Sequence, residues 1–270
     1  MESIKGENLS ISYEEKLIVK ELDINIPKGK ITTIIGPNGC GKSTLLKAVG
    51  RILKPKSGTV YLNGEDIHKL TTKEIAQKMA ILPQTPQAPS GLTVGELVAY
   101  GRFPHQKGFG KLKAQDKEII QWALEVTKTL EFETTIVDNL SGGQRQRVWI
   151  AMALAQGTDL ILLDEPTTYL DLSYQLEVLE LLYSLNREQN KTIVMVLHDL
   201  NLASRFADYM VAIRFGEIIS HGNPEKVMTP KVLKEVFNID AQIVRESRKG
   251  YPTCISYDLI KEENNMCTSI

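Results

Sequence analysis

The stretch GPNGCGKST, from Gly36 to Thr44, constrains the fold of this chain more than any other. It matches the pattern G-x-x-x-x-G-K-[ST], follows the apolar run ITTII and precedes apolar residues at helical spacing. A strand, a glycine-rich loop and a helix are therefore predicted in that order. In such a loop, backbone N–H groups surround the phosphates of a nucleotide triphosphate, while Lys42 adds a cation and the Ser43 hydroxyl offers a ligand to magnesium.

Cys40 lies inside this loop, at the N-terminal end of the predicted helix. Backbone dipoles at such a position lower the pKa of a thiol and raise its reactivity, so we expect maleimide to attack Cys40 and ATP to protect it. In the alternative, the thiol only fills space and is shielded by the loop.

The charge balance and the cysteines argue against several kinds of protein. With 32 Lys and Arg against 33 Asp and Glu among 270 residues, the net charge of −1 provides no broad positive surface for non-specific nucleic-acid binding. Cys40, Cys254 and Cys267 contain no CxxC pair and are odd in number, so neither a disulfide framework nor a zinc site is indicated. A reducing cytoplasm is the predicted compartment.

The chain is not expected to cross a membrane itself. Its longest unbroken apolar run, Val148 to Ala155, is far shorter than the about 20 residues that a spanning helix needs. The N-terminal residues MESIKGENLS contain no apolar signal core.

The first half of the chain changes pattern twice. Alternation over residues 3–35 predicts antiparallel strands, and helical spacing from Lys42 to Leu53 predicts a helix that ends just before Pro55. The proline-rich segment LPQTPQAPSG, residues 82–91, marks a subdomain boundary. Beyond it, TVGE at 93–96 has the form of a capping box, and the region to about Gln156, including KEIIQWALEVTKTL, is predicted to be almost wholly helical.

The second half alternates strands and helices. DLILLDEP and TIVMVLHD are short β-rich runs on either side of the amphipathic helix SYQLEVLELLYSLNREQ. This alternation predicts an α/β fold with a parallel sheet. After about Pro224 we expect one helix, PKVLKEVFN, and two short strands.

Two carboxylates, Asp164 and Glu165, end the predicted buried strand in LILLDE. Open α/β sheets bind their ligands at the C-terminal ends of strands. With a phosphate-binding loop upstream, Asp164 is predicted to hold magnesium, directly or through water. Glu165 is predicted to be the general base that orients or deprotonates the water attacking the γ-phosphate. Without that loop, such a pair is more often only solvated.

The stretch LSGGQRQRV, residues 140–148, is predicted to begin a helix whose first turn is bare. Ser141 and Gln144 form a capping box, and Gly142 and Gly143 present no side chains, so the helix start is electropositive and accessible. The alternative is an ordinary helix cap with its arginines solvated.

The order of these motifs resembles that of the ATP-binding cassette (ABC) ATPases over roughly residues 3–240. The resemblance implies a phosphate-loop core with a mainly parallel sheet, an antiparallel β subdomain at the N-terminus and an inserted all-helical subdomain. It makes 1–240 an ABC ATPase domain, with the insert at about 88–156, and 241–270 a C-terminal extension. It also implies ATP hydrolysis with Mg²⁺, in a homodimer where LSGGQ of one protomer contacts the γ-phosphate held by the other.

The resemblance implies further roles residue by residue. Tyr13 is similar to the aromatic residue that stacks on adenine. Gln84 is similar to the glutamine that touches magnesium and the attacking water and joins the core to the insert. Asp171 resembles the aspartate that couples the two sites across the dimer, although it also fits an N-cap. His198 resembles the switch histidine on the γ-phosphate, with Asp199 as the cap of the next helix.

The predicted site therefore has three overlapping parts. Glu165, His198 and Gln84 are the catalytic residues, and Ser43, Gln84 and Asp164 hold magnesium. ATP is bound by Tyr13, Gly36, Pro37, Asn38, Gly39, Cys40, Gly41, Lys42, Ser43, Thr44, Ser141, Gly142, Gly143, Gln144 and Asp171.

A narrower resemblance concerns the cargo. GRFPH at 101–105 and TTYLDLSYQLEVLELL at 167–182 are similar to the ATPases of bacterial importers for iron–siderophore complexes and for the related haem and cobalamin, although histidine is usual where Tyr174 stands. This implies a protein at the cytoplasmic face of the membrane, working with two membrane permease subunits and an extracytoplasmic substrate-binding protein, without nucleic acid. The proline-rich segment and the insert are predicted to dock the permease. Haem or cobalamin import, export and a non-transport ABC ATPase are the alternatives.

Overall fold

The computed structural model describes residues 2–13, 16–106, 111–168 and 170–260, so Cys267 lies outside the described residues. Its strands are β1 (Glu2–Tyr13), β2 (Lys16–Pro27), β3 (Ile31–Ile35), β4 (Ser57–Leu62), β5 (Glu65–Asp66), β6 (Met79–Leu82), β7 (Leu160–Asp164), β8 (Thr192–Val196), β9 (Tyr209–Arg214), β10 (Glu217–Gly222), β11 (Ile239–Arg245) and β12 (Pro252–Leu259). Its helices are α1 (Lys42–Val49), α2 (Thr72–Lys78), α3 (Val94–Tyr100), α4 (Ala114–Val126), α5 (Gly142–Ala155), α6 (Leu172–Gln189), α7 (Leu200–Phe206), α8 (Pro224–Val227) and α9 (Pro230–Phe237).

A six-stranded sheet in the order β10-β9-β3-β8-β7-β6 forms the centre of the fold. Its neighbours pair in parallel, except for β10, which pairs antiparallel with β9. β3, β7 and β8 are buried along their whole lengths, as expected for strands covered on both faces. The predicted α/β fold with a mainly parallel sheet is confirmed.

A separate antiparallel sheet has the order β2-β1-β4-β5. The antiparallel prediction for residues 3–35 therefore holds for β1 and β2 but was wrong for β3, which pairs in parallel with β8 and β9. The prediction was wrong because the threonines of ITTII resemble the polar side chains that a half-exposed strand directs toward solvent. Thr32 and Thr33 are nevertheless fully buried, and Thr33 Oγ1 donates to the Ala203 carbonyl oxygen at 3.2 Å.

Helix α1 is shorter than predicted. It ends at Val49, Gly50 is its C-cap, and Arg51 adopts a left-handed φ of 59°. Ile52 is 57% exposed and does not extend the buried face of the helix. The predicted end just before Pro55 was wrong because the left-handed residue stops the helix before the proline does.

The helical insert consists of α3, α4 and α5 between β6 and β7. The predicted capping box at its start is confirmed, since Thr93 Oγ1 accepts from the Glu96 N–H and Glu96 Oε2 accepts from the Thr93 N–H. α4 ends at Val126 rather than at Leu130, and Lys128 takes a φ of 54°. Short 3₁₀ turns at 103–105, 130–132 and 137–139 interrupt the insert. None of the helices in the described ranges is long and apolar enough to cross a membrane.

The six-stranded sheet separates two hydrophobic cores. One core packs the sheet against the insert, α6 and α7, and includes Trp149 and Leu179. The other packs the sheet against α1 and the antiparallel sheet, and includes Leu45 and Val60. The loop after β3 therefore lies at the edge of the sheet between two rigid layers.

The C-terminal residues form an antiparallel hairpin of β11 and β12. Asn201 of α7 exchanges hydrogen bonds with the Cys254 backbone at 2.8 and 3.0 Å, and Ser204 Oγ donates to the Pro252 carbonyl oxygen at 2.7 Å. The predicted helix and two strands after Pro224 are confirmed as α9, β11 and β12. The division of the chain at residue 240 stays a prediction, and β11 begins just before it.

Candidate functional site

The phosphate loop joins β3 to α1 in a conformation that requires glycine. Gly41, directly before α1, has a φ of 108°, which L side chains rarely adopt. A Cβ atom at Gly36 would lie 2.2 Å from the Ile213 carbonyl oxygen of β9. The loop thus packs closely on the sheet, and the first N–H groups of α1 have no partners within the helix.

Lys42, the first residue of α1, is held inside the curve of this loop. Its side chain is buried, and Nζ donates to the carbonyl oxygens of Gly36 and Pro37 at 2.9 Å each. A phosphate group that enters the loop competes with these carbonyls for the same cation.

Ser43 and Asp164 meet across the site. Ser43 Oγ donates to Asp164 Oδ1 at 2.8 Å. Asp164 ends β7, and its second oxygen, Oδ2, is buried and has no hydrogen-bond partner among the residues that the structure describes. Burial raises the pKa of this carboxyl, against the opposing hydrogen bond from Ser43 and together with the neighbouring Glu165 charge.

This arrangement fits a magnesium ion. Mg²⁺ takes oxygen ligands and is usually bound by one or two carboxylates together with substrate phosphates. The unpaired oxygen of Asp164, the Ser43 hydroxyl and the Gln84 amide belong to that ligand class. Within the described ranges, no group of three or more His, Cys, Asp or Glu is arranged to hold a metal.

Glu165 follows β7 and is contacted at both carboxylate oxygens. Gln84 Nε2 donates to its Oε2 at 2.6 Å, and Thr168 Oγ1 donates to the same oxygen at 3.1 Å. His198 Nε2 lies 2.6 Å from Oε1, and Asp199 caps α7 directly afterwards, as predicted. The Glu165 φ of 54° is a left-handed conformation that costs about 1–3 kcal/mol outside glycine. Thr168 from the same turn, together with Gln84 and His198 from distant segments, therefore fixes the carboxylate of a residue whose backbone is strained.

A cleft of about 540 Å³ brings residues of the phosphate loop together with Gln84, Glu165 and His198. Ile18 of β2 was not among the predicted residues, because its apolar side chain gives no sign of ligand binding. Thr168 bonds Glu165 without lining the cleft and was not predicted either, although it lies close after the two carboxylates in the sequence. The lining residues are Ile18, Asn38, Gly39, Gly41, Lys42, Ser43, Thr44, Gln84, Glu165 and His198.

Tyr13 lies at the end of β1 and is not one of these lining residues. Its ring is 43% exposed, and its hydroxyl is 3.5 Å from Lys47 Nζ of α1. The stacking of Tyr13 on adenine stays a prediction.

The signature residues, Ser141 to Gln144, lie at the start of α5 and do not line this cleft. The predicted capping box is confirmed, since Ser141 Oγ accepts from the Gln144 N–H at 3.3 Å and Gln144 Oε1 accepts from the Ser141 N–H at 2.9 Å. A Cβ atom at Gly142 would meet no atom within 4 Å. The first turn of α5 is therefore bare on its outer side.

Asp171 is the N-cap of α6, where its Oδ1 accepts from the Tyr174 N–H at 3.0 Å. The capping function is confirmed, and the coupling function stays a prediction. Gln146 Nε2 of α5 donates to the Pro166 carbonyl oxygen at 3.0 Å. This bond connects the signature helix to the loop after Glu165.

The surroundings of Cys40 do not favour the reactive thiolate that its position predicts. It is buried, and burial raises its pKa above the ordinary value, although the charge of Lys42 acts in the opposite direction. A Cβ atom at Gly36 would lie 2.8 Å from the Cys40 sulfur, so the thiol is packed beneath the loop. The predicted low pKa was wrong because desolvation disfavours the thiolate more than the helix start favours it.

Comparison with known proteins agrees with this geometry. Residues 19–168 match the family model described as ABC transporter. The iron(3+)-hydroxamate import ATP-binding protein of Bacillus subtilis (strain 168) is 61% identical, over 99% of this chain and 100% of its own. The ferric enterobactin transport ATP-binding protein of Escherichia coli (strain K12) is 43% identical over 93% of each chain. A dimeric, post-hydrolysis structure of the ATP-binding cassette MJ0796 bound to ADP and Pi has a TM-score of 0.73 and 32% identity, covering 82% of this chain and 98% of that one.

Proposed function

This chain belongs to the ABC transporter family, and from that premise we propose that it is the ATP-hydrolysing subunit of an importer for iron–siderophore complexes. The observation that carries the proposal is that Lys42, Ser43 and Glu165 line one cleft, where Ser43 also bonds Asp164. The cation Lys42 and the magnesium ligand Ser43 are neighbours in the chain. The second magnesium ligand, Asp164, lies 121 residues after Ser43 and is followed directly by the base, Glu165.

ATP binds with its phosphates in the loop 36–44. The first turn of α1 offers backbone N–H groups and the positive end of the helix dipole, and Lys42 adds the side-chain cation. Ser43, Asp164 and Gln84 would hold Mg²⁺, which neutralises phosphate charge when it is bound.

Glu165 is the general base for hydrolysis. It orients the attacking water and accepts its proton, so that ATP and water give ADP and phosphate. Gln84 and His198 each hold one oxygen of Glu165, so the base is oriented before the reaction. His198 lines the cleft and is the group that contacts the γ-phosphate.

The working form is a homodimer with ATP at the interface. The signature residues do not line the cleft of their own protomer, and their open helix start suits the γ-phosphate held by the partner. Asp171 couples the two sites, and Tyr13 supports the adenine.

ATP binding closes the dimer, and hydrolysis reopens it. Two membrane permease subunits change between inward- and outward-facing states with this cycle. The chain docks on them at the cytoplasmic face of the membrane through its insert and residues 82–91. An extracytoplasmic substrate-binding protein delivers the cargo, and no nucleic acid takes part.

The cargo is a ferric siderophore. The two relatives are named for chemically different iron complexes, an iron(3+)-hydroxamate and ferric enterobactin. The higher identity to the first, 61% against 43%, favours a hydroxamate siderophore. Haem and cobalamin are the alternative cargo.

Deletion of the gene tests this proposal. Uptake is measured for ferric hydroxamates, ferric catecholates, haem and cobalamin, with an unrelated nutrient as the control. We expect uptake of a ferric hydroxamate to be lost, and to be restored by the wild-type gene but not by Lys42→Ala. Loss of haem or cobalamin uptake alone would show that the alternative compound is the cargo. Normal uptake of every compound would overturn the transport function.

A further inference from the structure

The motif GRFPH lies where the insert meets the rest of the molecule. We call residues 101–106 the joint segment. Gln77 Nε2 of α2 donates to the Pro104 carbonyl oxygen at 2.8 Å, and Lys73 Nζ of the same helix donates to the Gln106 carbonyl oxygen at 2.8 Å. Since α2 leads directly into β6, the joint segment attaches the insert to that strand.

Gln156, the C-cap of α5, forms the second attachment. Its Nε2 donates to the carbonyl oxygens of Ala76 at 2.6 Å and Met79 at 2.9 Å, in α2 and β6. Its own carbonyl oxygen accepts from His105 Nε2 at 2.7 Å and from Arg102 Nη1 at 3.4 Å. Because a carbonyl only accepts, His105 carries its proton on Nε2. Arg102 and His105 thus donate hydrogen bonds to a carbonyl oxygen at the C-terminal end of α5, where carbonyl groups have no partner within the helix.

Arg102 holds the insert together from inside. It is buried, its Nε donates to Asp116 Oδ1 at 2.9 Å, and its Nη1 donates to the Ala155 carbonyl oxygen at 2.9 Å. Removing one partner of a buried ion pair leaves the other charge buried without a partner, and this destabilises the fold. His105 forms no such pair among the described residues, so it probes the joint segment with less damage to the fold.

The attachments at Gln156 lead to two different parts of the proposed site. Met79 begins β6, which runs parallel to β7 and ends at Leu82, two residues before Gln84. Gln84 in turn bonds Glu165, the residue after β7. In the other direction, α5 runs from Gln156 back to the signature residues. Gln156 therefore lies where the strand that leads to Gln84 meets the helix that carries the signature.

We infer that the joint segment positions Gln84 for ATP hydrolysis, with His105 acting through Gln156 and β6. The inference rests on the proposed ATPase function and adds a positioning residue to it. His105 does not line the cleft, so its effect reaches the reaction only through the placement of Gln84 against Glu165.

Two variants of His105 separate its hydrogen bond from its volume. His105→Leu removes the donor, whereas His105→Gln offers an amide N–H to the Gln156 carbonyl. For the purified full-length protein we expect His105→Leu to lower kcat by about threefold or more, and His105→Gln to recover most of the loss. The KM for ATP should stay within about twofold of the wild type, because the phosphate loop is untouched.

A double-mutant cycle identifies the route of the effect. In a Gln84→Ala background, His105→Leu should cause no further loss of kcat, because the residue through which it acts is already gone. His221→Leu is the matched control, since His221 of β10 also makes one hydrogen bond, 2.6 Å to the Tyr209 hydroxyl, away from the cleft. It should keep the kcat of the wild type.

Thermal unfolding of each variant separates a loss of stability from a loss of turnover. An unchanged kcat in His105→Leu, whatever its Tm, would overturn the inference. An equal loss in the Gln84 and Gln84→Ala backgrounds would overturn it too. A wild-type protein without ATPase activity would overturn the proposed function and the inference together.

Discussion

At the scale of single residues, Glu165 combines a strained backbone with a fully engaged side chain. Its left-handed φ persists because Gln84, Thr168 and His198 hold the carboxylate from three directions. Such strain is concentrated where a group must be presented in one orientation. Here it turns the carboxylate at the end of β7 toward the cleft.

Replacing Glu165 by Gln removes the base and keeps the size of the side chain. We expect kcat to fall by about 10²- to 10⁴-fold, while the affinity for ATP is retained because the phosphate loop is intact. Phosphate release and titration with a fluorescent ATP analogue measure the two quantities. Glu180→Gln, which changes an exposed carboxylate of α6, is the control and should keep wild-type turnover. A Glu165→Gln protein with nearly normal kcat would remove Glu165 from the role of base.

The buried carboxyl of Asp164 should destabilise the folded protein at neutral pH, although the proposed reaction needs its charge. Its pKa is raised in the folded protein, so ionised Asp164 lowers the free energy of unfolding at neutral pH, and this cost disappears as the pH falls through the folded-state pKa. Without nucleotide, Asp164→Asn should therefore have a higher Tm than the wild type at pH 7, with the difference shrinking toward acid pH. Calorimetry over a pH series measures it.

The same Asp164→Asn protein should lose magnesium-dependent ATP hydrolysis, because the amide cannot supply the charged ligand. Ser43→Ala provides the comparison, since it removes the hydrogen-bond donor to this carboxyl without removing the charge. A Tm at pH 7 below that of the wild type would show that the carboxylate stabilises the fold, contrary to its direction of pKa shift.

Cys40 should react slowly in the native protein. Burial keeps the reagent away from the Cys40 sulfur, and the raised pKa keeps the fraction of thiolate low at neutral pH. In a background with Cys254→Ser and Cys267→Ser, maleimide labelling at pH 7 should be slow until denaturant unfolds the chain. Rapid labelling of the folded protein that ATP prevents would restore the earlier interpretation of an accessible thiol.

At the scale of elements, helix starts follow from short-range chemistry and helix ends do not. The caps at Thr93, Ser141, Asp171 and Asp199 accept bonds from N–H groups three residues ahead, so the pattern is written in consecutive residues. The end of α1 depends instead on the left-handed conformation of Arg51, and arginine has no preference for that conformation from which it could be predicted. The caps were predicted correctly, and the ends of α1 and α4 were not.

The bare start of α5 leads to a prediction for Gly142. Since a Cβ atom there meets nothing within 4 Å, Gly142→Asp should fold with a Tm close to that of the wild type. Its carboxylate would face the γ-phosphate of the partner's ATP, so dimer formation with ATP should be lost while the monomer still binds ATP. Gly142→Ala is the control for the loss of glycine. ATP-dependent dimers of Gly142→Asp would show that α5 does not approach a nucleotide.

At the scale of the whole molecule, the two halves of the proposed site lie in different parts of one protomer. The cleft is the proposed phosphate site, and the signature residues lie outside it, at the start of α5. In the proposed function, a complete site therefore requires a second copy of the chain, related by a two-fold axis that brings each signature to the other cleft. The relative of known structure with ADP and Pi is itself dimeric.

A dimer trapped by ATP tests this arrangement. Glu165→Gln should bind ATP and hydrolyse it about 10²- to 10⁴-fold more slowly, so with ATP and magnesium it should elute from size-exclusion chromatography as a dimer. Without nucleotide it should elute as a monomer, and Lys42→Ala combined with Glu165→Gln should stay monomeric in both conditions. A Glu165→Gln protein that remains monomeric at high concentration with ATP would contradict the shared site.

The sequence by itself determined the local parts of this protein. The glycines and Lys42 of the phosphate loop, the carboxylates at the end of β7 and the helix caps act through neighbouring residues, so their spacing is sufficient to identify them. The alternation of strands and helices likewise predicts the parallel sheet, because crossover helices are what parallel strands need.

Only the tertiary structure decided what depends on distant segments. β3 joins the parallel sheet although its threonines suggest an exposed face, and Cys40 is buried under the loop although its position at a helix start suggests a reactive thiol. His105 meets a carbonyl 51 residues away, and Gln84 meets a carboxylate 81 residues away. Burial and pairing across such separations depend on the packing of whole elements, and no pattern within a short stretch of sequence records them.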